Sequence, residues 1–117
     1  MSNLSLAGWL ERLEQLHPSA IDLGLSRCGE VARRLDLVDA GIITATVAGT
    51  NGKGTTVAVM ESVLCASGVH CGAFTSPHLI RFNERIRVDG QEVSDETIVA
   101  AFEAIERARE EISLTYF

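Results

Sequence analysis

Cysteine is scarce in this 117-residue chain: Cys28, Cys65 and Cys71 are all there is, with no C-x-x-C spacing. An odd count without that spacing excludes a disulfide framework and a cysteine-built zinc site, and fits small apolar fillers in a reducing compartment. Basic residues are few as well, ten Lys+Arg against sixteen Asp+Glu, for a formal charge of −6. Sequence-independent nucleic-acid binding needs a dense basic surface that releases phosphate counterions, so that class is excluded. No apolar run approaches the ~20 residues of a membrane span, and the first residues lack the basic start and apolar stretch of a signal peptide. Internal repeats, low-complexity tracts and linkers are missing too. What is plentiful is apolar side chain, at 46%. That is too much for a disordered chain and enough for a modest core in at most one compact domain. The expectation is a soluble, cytoplasmic protein.

Leu6, Trp9, Leu10, Leu13 and Leu16 recur at helical spacing with Glu11, Arg12 and Glu14 opposite. This predicts an amphipathic helix ending near His17-Pro18, because proline restricts the residue before it. A second short helix is expected over 27–37, with Val31 and Leu35 inward. The β-branched run 42–47 lacks polar alternation, as a strand buried on both faces does. A glycine-rich turn follows, then a helix with Val59, Val63 and Cys65-Ala66 inward and Gly68 as a left-handed cap. Residues 69–75 read as a second strand. Strand, turn, helix and strand make a βαβ unit with a parallel pair.

Asp89-Gly90 between 85–88 and 91–93 predicts a hairpin, since glycine tolerates the positive φ of a type I′ turn. Ser94 is the expected N-cap of a last helix, with Asp95 and Glu96 at the positive end of its dipole. Its apolar stripe is Ile98, Ala101, Phe102, Ile105 and Ile112. Two parallel strands cannot supply a sheet for helices on both faces, and Leu114-Thr115-Tyr116-Phe117 has no terminator. The chain therefore reads as the N-terminal part of a longer protein.

The chemistry is concentrated in Ala48-Gly49-Thr50-Asn51-Gly52-Lys53-Gly54-Thr55-Thr56. A phosphate chain is negative and its oxygens accept hydrogen bonds. Glycines at a helix N-terminus let successive backbone N–H groups converge on it without Cβ obstruction, and the helix dipole adds attraction. Gly49, Gly52 and Gly54 give the openness, Lys53 a mobile charge for β- and γ-phosphates, and Thr55 a hydroxyl near phosphate or Mg²⁺. The common G-x-x-x-x-G-K-[ST] pattern is not met; the match is to G-x-x-G-K-G-T. At average residue usage that variant arises by chance in fewer than roughly one chain of this length in a thousand. Lys53 is also the only lysine in the chain. No later apolar strand ends in a metal-holding Asp or Glu, and there is no Asn-Lys-x-Asp guanine motif.

The loop 48–56 resembles the ATP loop of the Mur ligase superfamily. Four further segments narrow the resemblance: Ile21-Asp22-Leu23-Gly24-Leu25, Phe74-Thr75-Ser76-Pro77-His78-Leu79, Phe82-Asn83-Glu84-Arg85-Ile86 and Ser113-Leu114-Thr115-Tyr116-Phe117. Together they resemble the start of the bacterial bifunctional dihydrofolate synthase/folylpolyglutamate synthase family. The resemblance implies an α/β fold, a P-loop-type parallel sheet flanked by helices. Residues 1–117 would be the N-terminal portion of the ATP-binding (Mur ligase central-type) domain, with its remainder and the glutamate ligase domain lying beyond the chain. The implied activity is ATP- and Mg²⁺-dependent ligation of L-glutamate to 7,8-dihydropteroate and to reduced folates through an acyl phosphate.

By the same resemblance Gly49, Thr50, Asn51, Gly52, Lys53, Gly54 and Thr55 hold ATP, with Lys53 catalytic. Ser76 and Thr55 are implied as magnesium ligands. Gln15, Leu16, His17 and Pro18, with Thr115, Tyr116 and Phe117, would line the pterin site. Asp22 would order its loop and His78 the loop of Ser76, or each serve structure alone. Arg81, Arg85 and Arg87 are either a solvated hairpin face or contacts to an anionic substrate. Partners are small molecules, without nucleic acid or membrane, and the full-length protein is expected to be a monomer. The span 1–117 alone is expected not to ligate. Another amide ligase of the superfamily and a nucleotide-binding module without turnover remain as alternatives.

Overall fold

The computed structural model describes residues 3–16 and 24–116. Its elements run α1 (Leu6–Gln15), α2 (Ser26–Arg34), α3 (Lys53–Ala66), β1 (Gly72–Phe74), a 3₁₀ turn (Phe82–Arg85), β2 (Ile86–Val88), β3 (Gln91–Glu92) and α4 (Asp95–Arg109). They fall into two compact units, Met1–Ile42 with Asp95–Phe117, and Ile43–Ser94. This grouping is invisible to local sequence pattern because the first unit is assembled from both ends of the span.

In the first unit, the Ser5 hydroxyl caps α1 by accepting from the Gly8 amide at 3.2 Å. Leu6, Trp9, Val31 and Ile98 form the buried core, which matches the helical spacing that placed Leu6, Trp9, Val31 and Ile98 inward. The Trp9 ring meets Phe102 at 5.8 Å. One turn on, the Arg12 guanidinium covers the Trp9 ring at 5.2 Å and donates to Glu106 at 2.8 Å. Sequence numbers rise together along these contacts, so α1 and α4 run in the same direction and end at the same side of the unit. Arg34 of α2 donates to the carbonyls of Ala108 (2.9 Å) and Arg109 (3.3 Å) and pairs with Glu111. Those carbonyls lie at the end of α4, where a cation also meets the negative pole of the helix.

In the second unit, β1, β2 and β3 form one antiparallel sheet in that order, with Ala73 opposite Arg87 and Arg87 opposite Glu92. Asp89 (φ 51°) and Gly90 (φ 81°) both take positive φ, as the predicted type I′ hairpin requires. The Asp89 carboxylate accepts from the Cys71 amide at 3.0 Å and lies 3.0 Å from His70 Nδ1. Those contacts, the amide first, hold its pKa below the usual value. Glu61 on α3 is only 8% exposed and accepts from Arg87 Nε at 3.0 and 3.1 Å. A charge-assisted pair thus bolts α3 to β2.

Two local expectations change. Residues 42–47 are not in a strand, and Ile43 is 99% exposed. Within the described residues β1 pairs antiparallel with β2 rather than parallel with the earlier run. β-branched residues favour extension, but a strand exists only where a neighbour accepts its backbone bonds. The second change is on α3, where Val59 and Val63 stay 59% and 58% exposed while Glu61 is buried. This helix is apolar nearly all round, so periodicity alone could not choose its inner face.

Candidate functional site

The glycine loop leads directly into α3, whose N-cap is Gly52 at φ 79°, ψ 6°. An L side chain is strained in that left-handed conformation, so glycine is required by the backbone itself. Cβ atoms built on Gly49, Gly52 and Gly54 would meet nothing within 4 Å. The loop is open, and its residues 48–56 are solvent-facing apart from the cap contacts. The first intrahelical bond is donated by Thr56, whose amide (3.0 Å) and hydroxyl (2.9 Å) both reach the Gly52 carbonyl. The amides of residues 53–55 precede that bond and point out of the helix start. Lys53 folds back over the mouth, its Nζ donating to the carbonyls of Gly49 at 2.5 Å and Thr50 at 3.4 Å. A set of amide donors with one ammonium suits an acceptor-rich anion such as a phosphate chain.

Ser76 lies on a second loop, residues 76–84, entered through a cis Ser76-Pro77 bond. Its base is closed by the Thr75 amide donating to the Arg85 carbonyl at 2.9 Å. The Arg85 Nε donates to His78 Nδ1 at 2.8 Å, which leaves the ring proton of neutral His78 on Nε2. Phe82 packs edge-on to His78 at 5.8 Å and lies 5.2 Å beneath the Arg85 guanidinium. The middle of the loop is held by Glu84, whose carboxylate accepts from the amides of Leu79 (3.0 Å), Ile80 (2.8 Å) and Arg81 (2.7 Å). These bonds, Arg81 first, lower its pKa from 4.5 to about 2.

The sign follows from that depression: ionised Glu84 stabilises the loop above pH 4.5, and the contribution is lost as pH falls through about 2. The amide chemical shifts of Leu79 to Arg81 are therefore expected to stay constant from pH 7 to about 3 and move only below it. A midpoint near pH 4.5 for those shifts would contradict the geometry.

The three arginines that were read as one cluster are spent on internal partners. Arg81 pairs with Glu92, Arg85 with His78, and Arg87 with Glu61 and the Gly90 carbonyl. The hairpin face is thus a set of staples. Glu61 and Glu84 were not singled out from sequence; for Glu84 a signal existed, its spacing three residues after the start of a turn, as in a capping box.

In the first unit, Gln15 ends α1 and Leu16, half exposed, is its C-cap. Thr115 and Tyr116 follow α4, whose C-terminal end lies on the same side as that of α1. His17, Pro18, Asp22 and Phe117 are outside the described residues. Among the described residues no group of three or more His, Cys, Asp or Glu is placed to hold a metal ion. Ser76 and Thr55, the metal ligands expected from sequence, each carry a hydroxyl, an oxygen of the type that Mg²⁺ accepts beside phosphates and water.

The left-handed glycine cap and the lysine at the loop mouth stand in a mixed helix and strand chain whose structural neighbours are of the Mur ligase-like α/β class. No family model matches the chain. It is 53% identical over 112 residues to the dihydrofolate synthase/folylpolyglutamate synthase of Escherichia coli (strain K12), covering 96% of this chain and 26% of that protein. The bifunctional folylpolyglutamate synthase/dihydrofolate synthase of Yersinia pestis, solved with AMPPNP and Mn ion, is 50% identical with a TM-score of 0.92, over 98% of this chain and 28% of the other. The E. coli enzyme solved with DHPP and ADP is 51% identical with a TM-score of 0.91, over the same shares. Over nearly all of its length the chain is similar to dihydrofolate synthase/folylpolyglutamate synthases, and it spans about a quarter of the length of the curated relatives it matches.

Proposed function

We propose that this chain is part of the ATP-binding (Mur ligase central-type) domain of an ATP-dependent amide ligase that joins L-glutamate to 7,8-dihydropteroate and to reduced folates. The observation that carries the reading is the loop 49–55, with Gly52 left-handed at the start of α3 and Lys53 held at its mouth. A carboxylate resists attack because its carbon is shielded by delocalised charge. ATP supplies the γ-phosphoryl group that makes it an acyl phosphate, from which glutamate's amine displaces phosphate. The protein's work is placement and charge neutralisation. The amides of residues 53–55 bind phosphate oxygens, and Lys53 exchanges its loop carbonyls for the β/γ oxygens. Thr50, Asn51 and Gly54 shape that cradle. Ser76 and Thr55 present hydroxyls to Mg²⁺, which when bound neutralises phosphate charge.

The shared end of α1 and α4 supports a pterin-side surface at Gln15, Leu16, Thr115 and Tyr116, with His17, Pro18 and Phe117 assigned to it from sequence. The partners are small molecules, and the full-length protein is a cytoplasmic monomer on this reading. Among the described residues no helix is long and apolar enough to cross a membrane.

The test is phosphate release by the full-length polypeptide with ATP, Mg²⁺ and L-glutamate. Release is expected with dihydropteroate and absent with muramyl substrates. The opposite pattern would assign another ligase of the superfamily, and tight ATP binding without turnover on any acid would leave a binding module.

A further inference from the structure

We propose that Glu84 is a positioning residue for Ser76, tying down the loop on which Ser76 stands so that its hydroxyl meets the nucleotide's divalent cation at a fixed place. The inference rests on the ATP-dependent reading above. Residues 76–84 leave the sheet at Thr75 and rejoin it at Arg85, and something must hold the excursion between. Apolar packing does not, because Leu79 and Ile80 at its middle are 91% and 86% exposed. The three amides bonded to the Glu84 carboxylate do, aided by the Arg85–His78 bond two residues after Ser76. Without the carboxylate, Leu79, Ile80 and Arg81 lose their shared acceptor, and Ser76 is sampled over a spread of positions. Metal sites are sensitive to such supports: losing an outer partner typically lowers metal affinity by about 10–100-fold.

The geometry grades the substitutions. Oε2 takes the Ile80 and Arg81 amides and Oε1 takes Leu79. Glu84→Gln can keep its one carbonyl oxygen at the Oε2 position and lose only the Leu79 bond, whereas Glu84→Ala loses all three.

Both variants are made in the full-length protein, and amide hydrogen exchange is followed together with Mn²⁺ affinity by electron paramagnetic resonance in the presence of a non-hydrolysable ATP analogue. Exchange is expected to accelerate at Leu79 alone in Glu84→Gln and at all three amides in Glu84→Ala. Mn²⁺ affinity is expected to fall about 10-fold or more in Glu84→Ala, less in Glu84→Gln, with metal-free nucleotide affinity unchanged. The proposal is overturned if exchange accelerates while Mn²⁺ affinity holds, or if exchange at 79–81 is unaltered in Glu84→Ala. If the unsubstituted protein binds neither Mn²⁺ nor nucleotide, the ATP-dependent reading itself fails, a separate outcome.

Discussion

Replacing Lys53 by alanine in the full-length protein is expected to lower glutamate-dependent phosphate release by about 10²–10³-fold, the usual consequence of removing one preorganised donor from developing charge. The structure argues for a loss of that size without loss of fold. Lys53 is exposed, and among the described residues its ammonium touches only the carbonyls of Gly49 and Thr50. Its removal opens no cavity, so stability should stay within about 0.5 kcal/mol. As the chain's only lysine it has no substitute nearby in kind. Lys53→Arg should restore little, because a planar fork does not replace a compact point charge in a tight backbone loop. Steady-state release with dihydropteroate and glutamate, beside a thermal melt, separates the effects. Normal turnover by Lys53→Ala would remove the basis for the ligase reading.

Trp9→Ala is expected to cost about 3–5 kcal/mol in the first unit, the range for deleting a buried aromatic ring. Trp9 is 5% exposed, meets Phe102 and lies under the Arg12 guanidinium that also holds Glu106. Its loss therefore removes packing and a platform for an ion pair at once. Trp9→Phe should be far milder, at about 1.5 kcal/mol or less. The indole Nε1–H is buried with no partner among the described residues, so the smaller ring also sheds an unsatisfied donor. Amide exchange of α1 and α4 in the full-length protein measures both. Protection in Trp9→Ala within about 1 kcal/mol of the unsubstituted chain would show that this ring is not the keystone of the unit.

What could be read from the sequence is what is decided within a few residues. Asp89-Gly90 and Gly68 take the positive φ that their residue type and neighbours announced, and Gly52 adds a left-handed cap that was not read from the sequence. Of the predicted stripes, Leu6, Trp9, Val31 and Ile98 are buried, whereas Leu16 at the C-cap is half exposed and Ile112 lies past the end of α4. The glycine loop at the start of α3, with Lys53 at its mouth, is likewise a local feature. The rest depends on distant partners. Residues 42–47 carry strand composition without a ladder, and α3 offers apolar residues on every side, so neither pattern chose its neighbour. The fates of Arg81, Arg85 and Arg87 turned on Glu92, His78 and Glu61, which only the folded chain brings within reach.

The first unit is closed by α4, a helix synthesised about sixty residues after α2, which is several seconds of translation at ~5–20 residues per second. Through that interval the indole of Trp9 and the flank of Val31 have emerged without the surface that will cover them. The middle unit, Ile43–Ser94, is by contrast continuous in sequence, so its hairpin and helix need no residue from beyond it. A nascent chain halted before α4 would thus still expose Trp9 and Val31, an apolar surface of the kind that a holding chaperone binds.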